Sequence, residues 1–232
     1  MRRRPPAPLP EGEEKARAVR RLFDTISPRY DLVNRVMTFG MDIGWRRRTV
    51  RELALPDGAL VLDLACGTGD LCRALAAAGL RAIGFDFSHG MLRAARTEAP
   101  LVEADVLRLP VGDSVADGAT CGFALRNVVS LAAFFTELAR VVRPGGRISL
   151  LETAEPGGRL RRLGHRLYFR HVVPGIGAVL SNGDAYAYLP RSTAYLPAVE
   201  EMLAMLRRVG FTDARRIPLA GGATQLFVAT RS

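Results

Sequence analysis

A short apolar run that breaks at a glycine loop and resumes as a helix constrains this chain more than any other feature. Ala59-Leu-Val-Leu-Asp-Leu-Ala65 has the composition of a buried strand, Cys66-Gly67-Thr68-Gly69 interrupts it, and Asp70 to Ala78 reads as the helix that follows. A strand feeding a helix through two glycines puts backbone at the carboxyl edge of an open parallel sheet, where such sheets bind ligands. The glycines let the chain turn sharply and approach a ligand at distances a Cβ would obstruct.

The unit then repeats. Gly79 closes the helix, Arg81 to Phe87 reads as a strand, Ser88 caps a helix reaching Glu98, and Leu101 to Asp105 is a third strand. Thr120 to Leu125 and Arg147 to Thr153 flank a helix over Leu131 to Val142, with Pro144-Gly145-Gly146 as the turn between helix and strand. Such alternation predicts an α/β fold, a Rossmann-like, doubly wound, mostly parallel seven-stranded sheet. Ahead of it stand an amphipathic helix from Glu13 to Ile26 and a helical stretch from Asp31 to Leu53. After Thr153 the rhythm breaks, and residues 154–197 read as an insertion rich in arginine and tyrosine, expected to cover a substrate. A helix from Ala198 to Val209 and two strands, Ala214 to Leu219 and Gln225 to Thr230, complete the pattern; their connection is too short for a crossover, so they should pair antiparallel. Residues 1–12 read as a basic, proline-rich tail and 13–232 as a single domain.

Composition narrows the function classes. The 232 residues carry a formal charge of +10, yet of 33 basic residues only Lys15 is lysine. No motif of interleaved aromatic and basic residues accompanies the charge, so nucleic acid is not the expected partner. No apolar run approaches the roughly 20 residues that span a bilayer. Cys66, Cys72 and Cys121 lack the spacing of a disulfide framework or a zinc site, which argues for a cytoplasmic protein without a metal.

The loop favours a cationic ligand. A dinucleotide fingerprint needs a third small residue where this chain has Cys72, and Asp70 after the second glycine would repel a pyrophosphate. Asp63 and Asp70 instead suit the positive groups of S-adenosylmethionine. Asp86, 17 positions after Gly69, is placed to accept hydrogen bonds from ribose hydroxyls, and Asp105 with Val106 to meet the adenine.

Four stretches carry a family resemblance: Phe23-Asp-Thr-Ile-Ser-Pro-Arg-Tyr-Asp-Leu-Val-Asn34, Leu62-Asp-Leu-Ala-Cys-Gly-Thr-Gly-Asp70, Phe123-Ala-Leu-Arg-Asn-Val128 and Asn182-Gly-Asp-Ala-Tyr-Ala-Tyr-Leu-Pro-Arg-Ser192. On these the chain resembles the ubiquinone/menaquinone biosynthesis C-methyltransferases. The resemblance implies methylation of a ring carbon on a reduced, prenylated quinone, demethylmenaquinol first, with Thr68, Asp86, Asp105 and Val106 on the cofactor. Gly122 stands where the family usually has a small hydroxyl residue, so one hydrogen bond to the cofactor would be lost there. Glu152-Thr-Ala-Glu-Pro156 and the end of the chain also depart from the family pattern, which leaves a smaller phenolic or polyketide acceptor, methylated on carbon or oxygen, as the alternative.

A hydroquinone carbon becomes a strong nucleophile when the adjacent hydroxyl loses its proton. Arg126, after the fourth strand, is the expected group to stabilise that phenolate or hold the water that takes the proton. Asn127 is expected to orient the water or a ring oxygen, with Tyr30, Asn34, Asp184 and Tyr188 as a lid. His89, His165 and His171 read as ordinary surface histidines. A prenylated substrate further suggests peripheral membrane contact, expected on the helix near Val19 and on the basic run 159–170.

Overall fold

The computed structural model describes residues 12–154, 156–158, 192 and 195–232. Three helices come first: α1 (Gly12–Ile26), α2 (Tyr30–Met37) and α3 (Met41–Leu53). The sheet domain follows as β1 (Leu60–Leu64), α4 (Asp70–Ala76), β2 (Arg81–Asp86), α5 (His89–Ala94), β3 (Leu101–Glu103), β4 (Ala116–Gly122), α6 (Leu131–Val141), β5 (Val142–Thr153), α7 (Val199–Arg208), β6 (Phe211–Leu219) and β7 (Thr224–Arg231). The seven strands run in the order β3-β2-β1-β4-β5-β7-β6. All neighbours are parallel except that β7 runs antiparallel to both β5 and β6. The last strand of the chain is thus the reversed one, as its short connection to β6 predicts, and it lies inside the sheet between β5 and β6.

Helices cover both faces, which is why the central strands read as continuous apolar runs. On one face Phe134, Phe135 and Leu138 of α6 and Met202 and Leu206 of α7 pack on Leu62, Leu64, Ile148 and Leu150. On the other, Val50 and Leu53 of α3 and Leu71 and Leu75 of α4 close over Val61 and Ala82. Fully burying one such side chain stabilises by about 1.5–3 kcal/mol, so two continuous layers hold the sheet's edge rigid beneath a binding site.

Some sequence expectations need correction. The helical stretch Asp31 to Leu53 is two helices, broken at Phe39 and Gly40, both at positive φ. Pro144-Gly145-Gly146 is not a turn before a strand: α6 passes directly into β5, and the three residues form an irregularity within it. There a Cβ on Gly146 would stand 2.8 Å from the Asp117 carbonyl of the neighbouring strand, so only glycine fits. The third strand stops at Glu103, two residues before Asp105.

Helix α1 is held by the domain. Its apolar face is buried at Val19 and Ile26, which removes Val19 from the expected membrane contact. The basic run 159–170 lies outside the described residues.

Candidate active site

β1 ends at Leu64, and the loop that follows turns through Ala65, Gly67 and Gly69, all at positive φ, before α4 begins. At Gly69 a Cβ would stand 2.6 Å from Thr97 Cγ2, whereas at Gly67 it would meet nothing within 4 Å. Gly69 is thus required by packing, and Gly67 leaves its backbone bare beside a cleft. Asp86 at the end of β2 fixes the loop. One of its oxygens accepts from the Gly67 N–H and the other from the Ser88 N–H, each at 2.8 Å. The carboxylate retains acceptor capacity for a further donor. Burial raises its pKa to about 6, held from going further by the backbone donors of Ser88, Gly67 and Phe87.

The cleft runs from this loop across the ends of β2, β3 and β4. Gly67, Asp86, Asp105, Val106, Gly122 and Asn127 all line it, so five predicted cofactor residues and one predicted catalytic residue share one space. Asp105 is exposed and accepts from the Leu107 N–H at 2.9 Å, which aims its carboxylate along the turn after β3. Gly122 sits against Leu71, whose Cδ1 would lie 2.9 Å from an added Cβ. The opposite wall is apolar, built by Ala16, Val19 and Phe23 of α1 together with Met91, and Tyr30 opens α2 there. The cleft encloses a volume of about 100 Å³.

Polar anchors fasten that wall in place. Lys15 Nζ donates to the Val128 carbonyl at 2.8 Å and lies 3.7 Å from the centre of the Tyr195 ring. Asp24 accepts from Ser88 Oγ at 2.6 Å and from the Gly90 N–H at 3.0 Å. Thr68 Oγ1 donates to Asp31. Sequence reasoning assigned the cover to residues 154–197 with Tyr30 and Asn34 of α2, and missed α1. Lys15 gave the one available signal, as the single lysine among 33 basic residues.

The acids of the loop behave differently from the expectation. Asp63 is wholly buried, accepting from Thr120 Oγ1 at 2.8 Å and from Cys72 Sγ at 3.4 Å, and burial raises its pKa to about 7. Asp70 is matched by Arg46 at 2.9 Å and by Arg73. Burial thus weakens the charge at Asp63 and the two guanidiniums match that at Asp70, so the repulsion that argued against a pyrophosphate is reduced as well. Arg46 is a further residue missed in the sequence. It is nine-tenths buried and faces a small pocket beside Tyr30, Asp63, Thr68 and Gly122.

Arg126 is the largest departure. It is buried with its guanidinium on Glu152, its Nε 3.1 Å from Ser192 Oγ, and its backbone N–H 3.2 Å from Glu152 Oε2. Its charge is neutralised instead of facing the cleft, although it acts on Tyr30, whose pKa burial raises while Asn34, Arg126 and Arg46 pull it down. Glu152 also accepts from the Thr153 N–H at 2.7 Å. Tyr188 and Asp184 lie outside the described residues. His89 sits at the surface with Nδ1 3.0 Å from Glu103, in keeping with an ordinary role.

With this geometry in view the comparisons become specific. The profile of the ubiE/COQ5 methyltransferase family matches residues 11–231. The chain belongs to that family. The ubiquinone/menaquinone biosynthesis C-methyltransferase UbiE of Syntrophotalea carbinolica is 42% identical over 92% of this chain and 94% of its own length. The demethylmenaquinone methyltransferase of Deinococcus radiodurans is 41% identical over 90% and 91%. Among solved structures, an S-adenosylmethionine-dependent methyltransferase from Thermotoga maritima superposes with a TM-score of 0.66 at 18% identity, covering 91% of this chain and 99% of that one. The phosphoethanolamine N-methyltransferase 2 of Haemonchus contortus, bound to S-adenosylmethionine, gives 0.61 at 14% identity over 81% and 52%. At such identities these two establish the fold, and family membership makes the chain a methyltransferase.

Asp63 supplies a test of the site's electrostatics. Its carboxyl is raised from 3.8 to about 7 on folding, so the unfolded chain loses the proton first. The stability it contributes is whole below about pH 4 and is lost as pH rises through about 7. Asp63→Asn should therefore melt closer to wild type at low pH and gain on it towards neutrality. A constant difference in Tm across that window would refute the assignment.

Proposed function

We infer that this methyltransferase transfers the methyl group of S-adenosylmethionine to a ring carbon of a prenylated quinol, demethylmenaquinol in the first instance. The carrying observation is the two-sided cleft, with glycine backbone and carboxylates on one wall and apolar side chains with Asn127 on the other. Bound S-adenosylmethionine supplies an electrophilic methyl group. Asp86 would hold the ribose through its remaining acceptor capacity, Asp105 would hold the adenine amino group, and Val106 would pack on the ring. Bare backbone at Gly67 allows this approach, because nothing stands where its side chain would be.

On the acceptor side the chain chiefly orients the ring and excludes water. Asn127 positions a ring oxygen. Arg126, its charge matched by Glu152, holds the segment that carries Asn127 in place and does not act as the base. The apolar wall suits a ring bearing a hydrocarbon tail.

The test is turnover of purified protein with S-adenosylmethionine on a demethylated naphthoquinol carrying a short prenyl chain and on untailed phenols, followed by mass spectrometry. Carbon methylation with kcat/KM rising on addition of the tail is expected, because apolar area buried in the transition state lowers the barrier. Preference for untailed phenols, or methylation on oxygen, would point to a small phenolic metabolite instead.

A further inference from the structure

We propose that α1 is a gate over the cleft, hinged at its carboxyl end and latched at its amino end by Lys15, and that the latch opens to admit the cofactor. The need for a gate rests on the proposed cofactor, S-adenosylmethionine. A cleft of about 100 Å³ is too small for it, because sites that bury ligands of such size run to roughly 300–1,000 Å³. One wall has to move. The glycine loop is tied to the sheet through backbone groups, with the Cys66 N–H on the Phe85 carbonyl at 3.0 Å and the Gly67 N–H on Asp86 at 2.8 Å. The facing wall, α1, meets the rim of the cleft through side chains.

The two ends of α1 are held in different ways. At the carboxyl end Leu22, Phe23 and Ile26 join an apolar cluster with Val33 and Met91. Asp24 accepts from Ser88 Oγ and from the Gly90 N–H, and a Cβ on Gly90 would stand 2.9 Å from Asp24 Cα, so α1 and α5 meet there backbone to backbone. That end is the pivot. In the amino half Ala16 and Val19 line the cleft, and neither belongs to a core cluster among the described residues. Their packing is against the lining of the cleft itself, which a bound ligand can replace. Arg20 pairs with Glu103 part-way along, but both side chains are nearly half exposed, so the pair contributes little.

Lys15 therefore decides whether the amino half stays down. It is 5% exposed, and its ammonium reaches the segment after β4, where it donates to the Val128 carbonyl and covers the Tyr195 ring. Val128 lines the cleft too, so the latch sits on the rim. About 13 Å of helix separates Lys15 from Asp24, and a small tilt at the pivot opens the mouth. An ammonium on a flexible four-carbon stem exchanges its partners for water readily, which suits a fastener that has to release. In a chain whose other basic residues are all arginine, lysine stands at this position alone.

A thiol placed in the amino half reports the motion. In the full chain carrying Val19→Cys the introduced thiol is covered while α1 is down, and Cys121, buried in β4, marks global unfolding. Maleimide labelling followed by peptide mass spectrometry should modify the introduced thiol at least tenfold faster than Cys121. Adding Lys15→Met, which removes the donor, should raise that rate about tenfold, as expected for losing one hydrogen bond to a charged group, and Lys15→Arg should bring it back towards the starting value. Uptake of S-adenosylmethionine by Lys15→Met alone should quicken by a similar factor in stopped flow, read by the fluorescence of Trp45, which stands edge-on to Phe123 in the cleft wall. Labelling of both thiols at one rate, no acceleration by Lys15→Met, or acceleration without faster uptake overturns the gate. If Lys15→Met melts early, the comparison of the two thiols in the chain that keeps Lys15 still decides. Should the introduced thiol label as expected while calorimetry finds no S-adenosylmethionine bound to wild type, the cofactor reading falls and the gate stands.

Discussion

Alanine in place of Glu152 should destabilise this protein more than any other single change at the site, by about 3–5 kcal/mol, the cost of leaving a buried charge without its partner. Glu152 is fully buried and holds the guanidinium and the backbone N–H of Arg126 together with the Thr153 N–H. Without it Arg126 stays charged, since a guanidinium does not give up its proton in a protein interior. For a domain of this size the loss corresponds to a fall in Tm of roughly 6–20 °C. Removing both partners should cost less than the sum of the single changes, because neither leaves a lone charge behind. Thermal melts of the two single variants and the double variant close the cycle. Additive losses would mean that the pair is not coupled. The double variant also separates folding from chemistry: if it folds and turns over at the wild-type rate, Arg126 has no part in the reaction.

Asp86→Ala should raise the Kd for S-adenosylmethionine about a hundredfold. Hydrogen bonds to a charged acceptor contribute about 1.5–3 kcal/mol each, and the ribose would lose them. The variant also frees the Gly67 and Ser88 N–H groups, so the loop itself loses its anchor. Asp86→Asn keeps one acceptor oxygen and should lie between. Calorimetric titration with S-adenosylmethionine measures both. A Kd within threefold of wild type for the alanine variant would place the ribose elsewhere.

Much of the site was legible because its parts are close in the chain or fixed by strand ends. Gly67, Gly69 and Asp86 follow from the repeated strand and helix pattern, which sets both their spacing and the edge they share. What escaped the sequence depends on distant partners. Lys15 reaches Val128 across 113 positions, and Arg126 meets Glu152 across 26. In a chain whose basic residues are almost all arginine, nothing singled out Arg46. Glu152 did carry a signal, since a carboxylate closing the buried run Ile148-Ser-Leu-Leu151 requires a cation in the core. The helix break at Phe39 was hidden because its left-handed position is filled by a residue that rarely adopts it. Tyr188, expected in the lid, lies outside the described residues.

The placement of β7 between β5 and β6 has a consequence for biosynthesis. During translation β6 emerges before the segment that ties it to the sheet, and β5 meanwhile presents an unsatisfied ladder of amides and carbonyls. Until residues 224–231 have left the ribosome, the nascent polypeptide carries two raw strand margins open to wrong pairing. Because a short turn joins β6 to β7, the two pair locally as a hairpin, and docking of β7 on β5 is the slow, long-range step on which a chaperone would act.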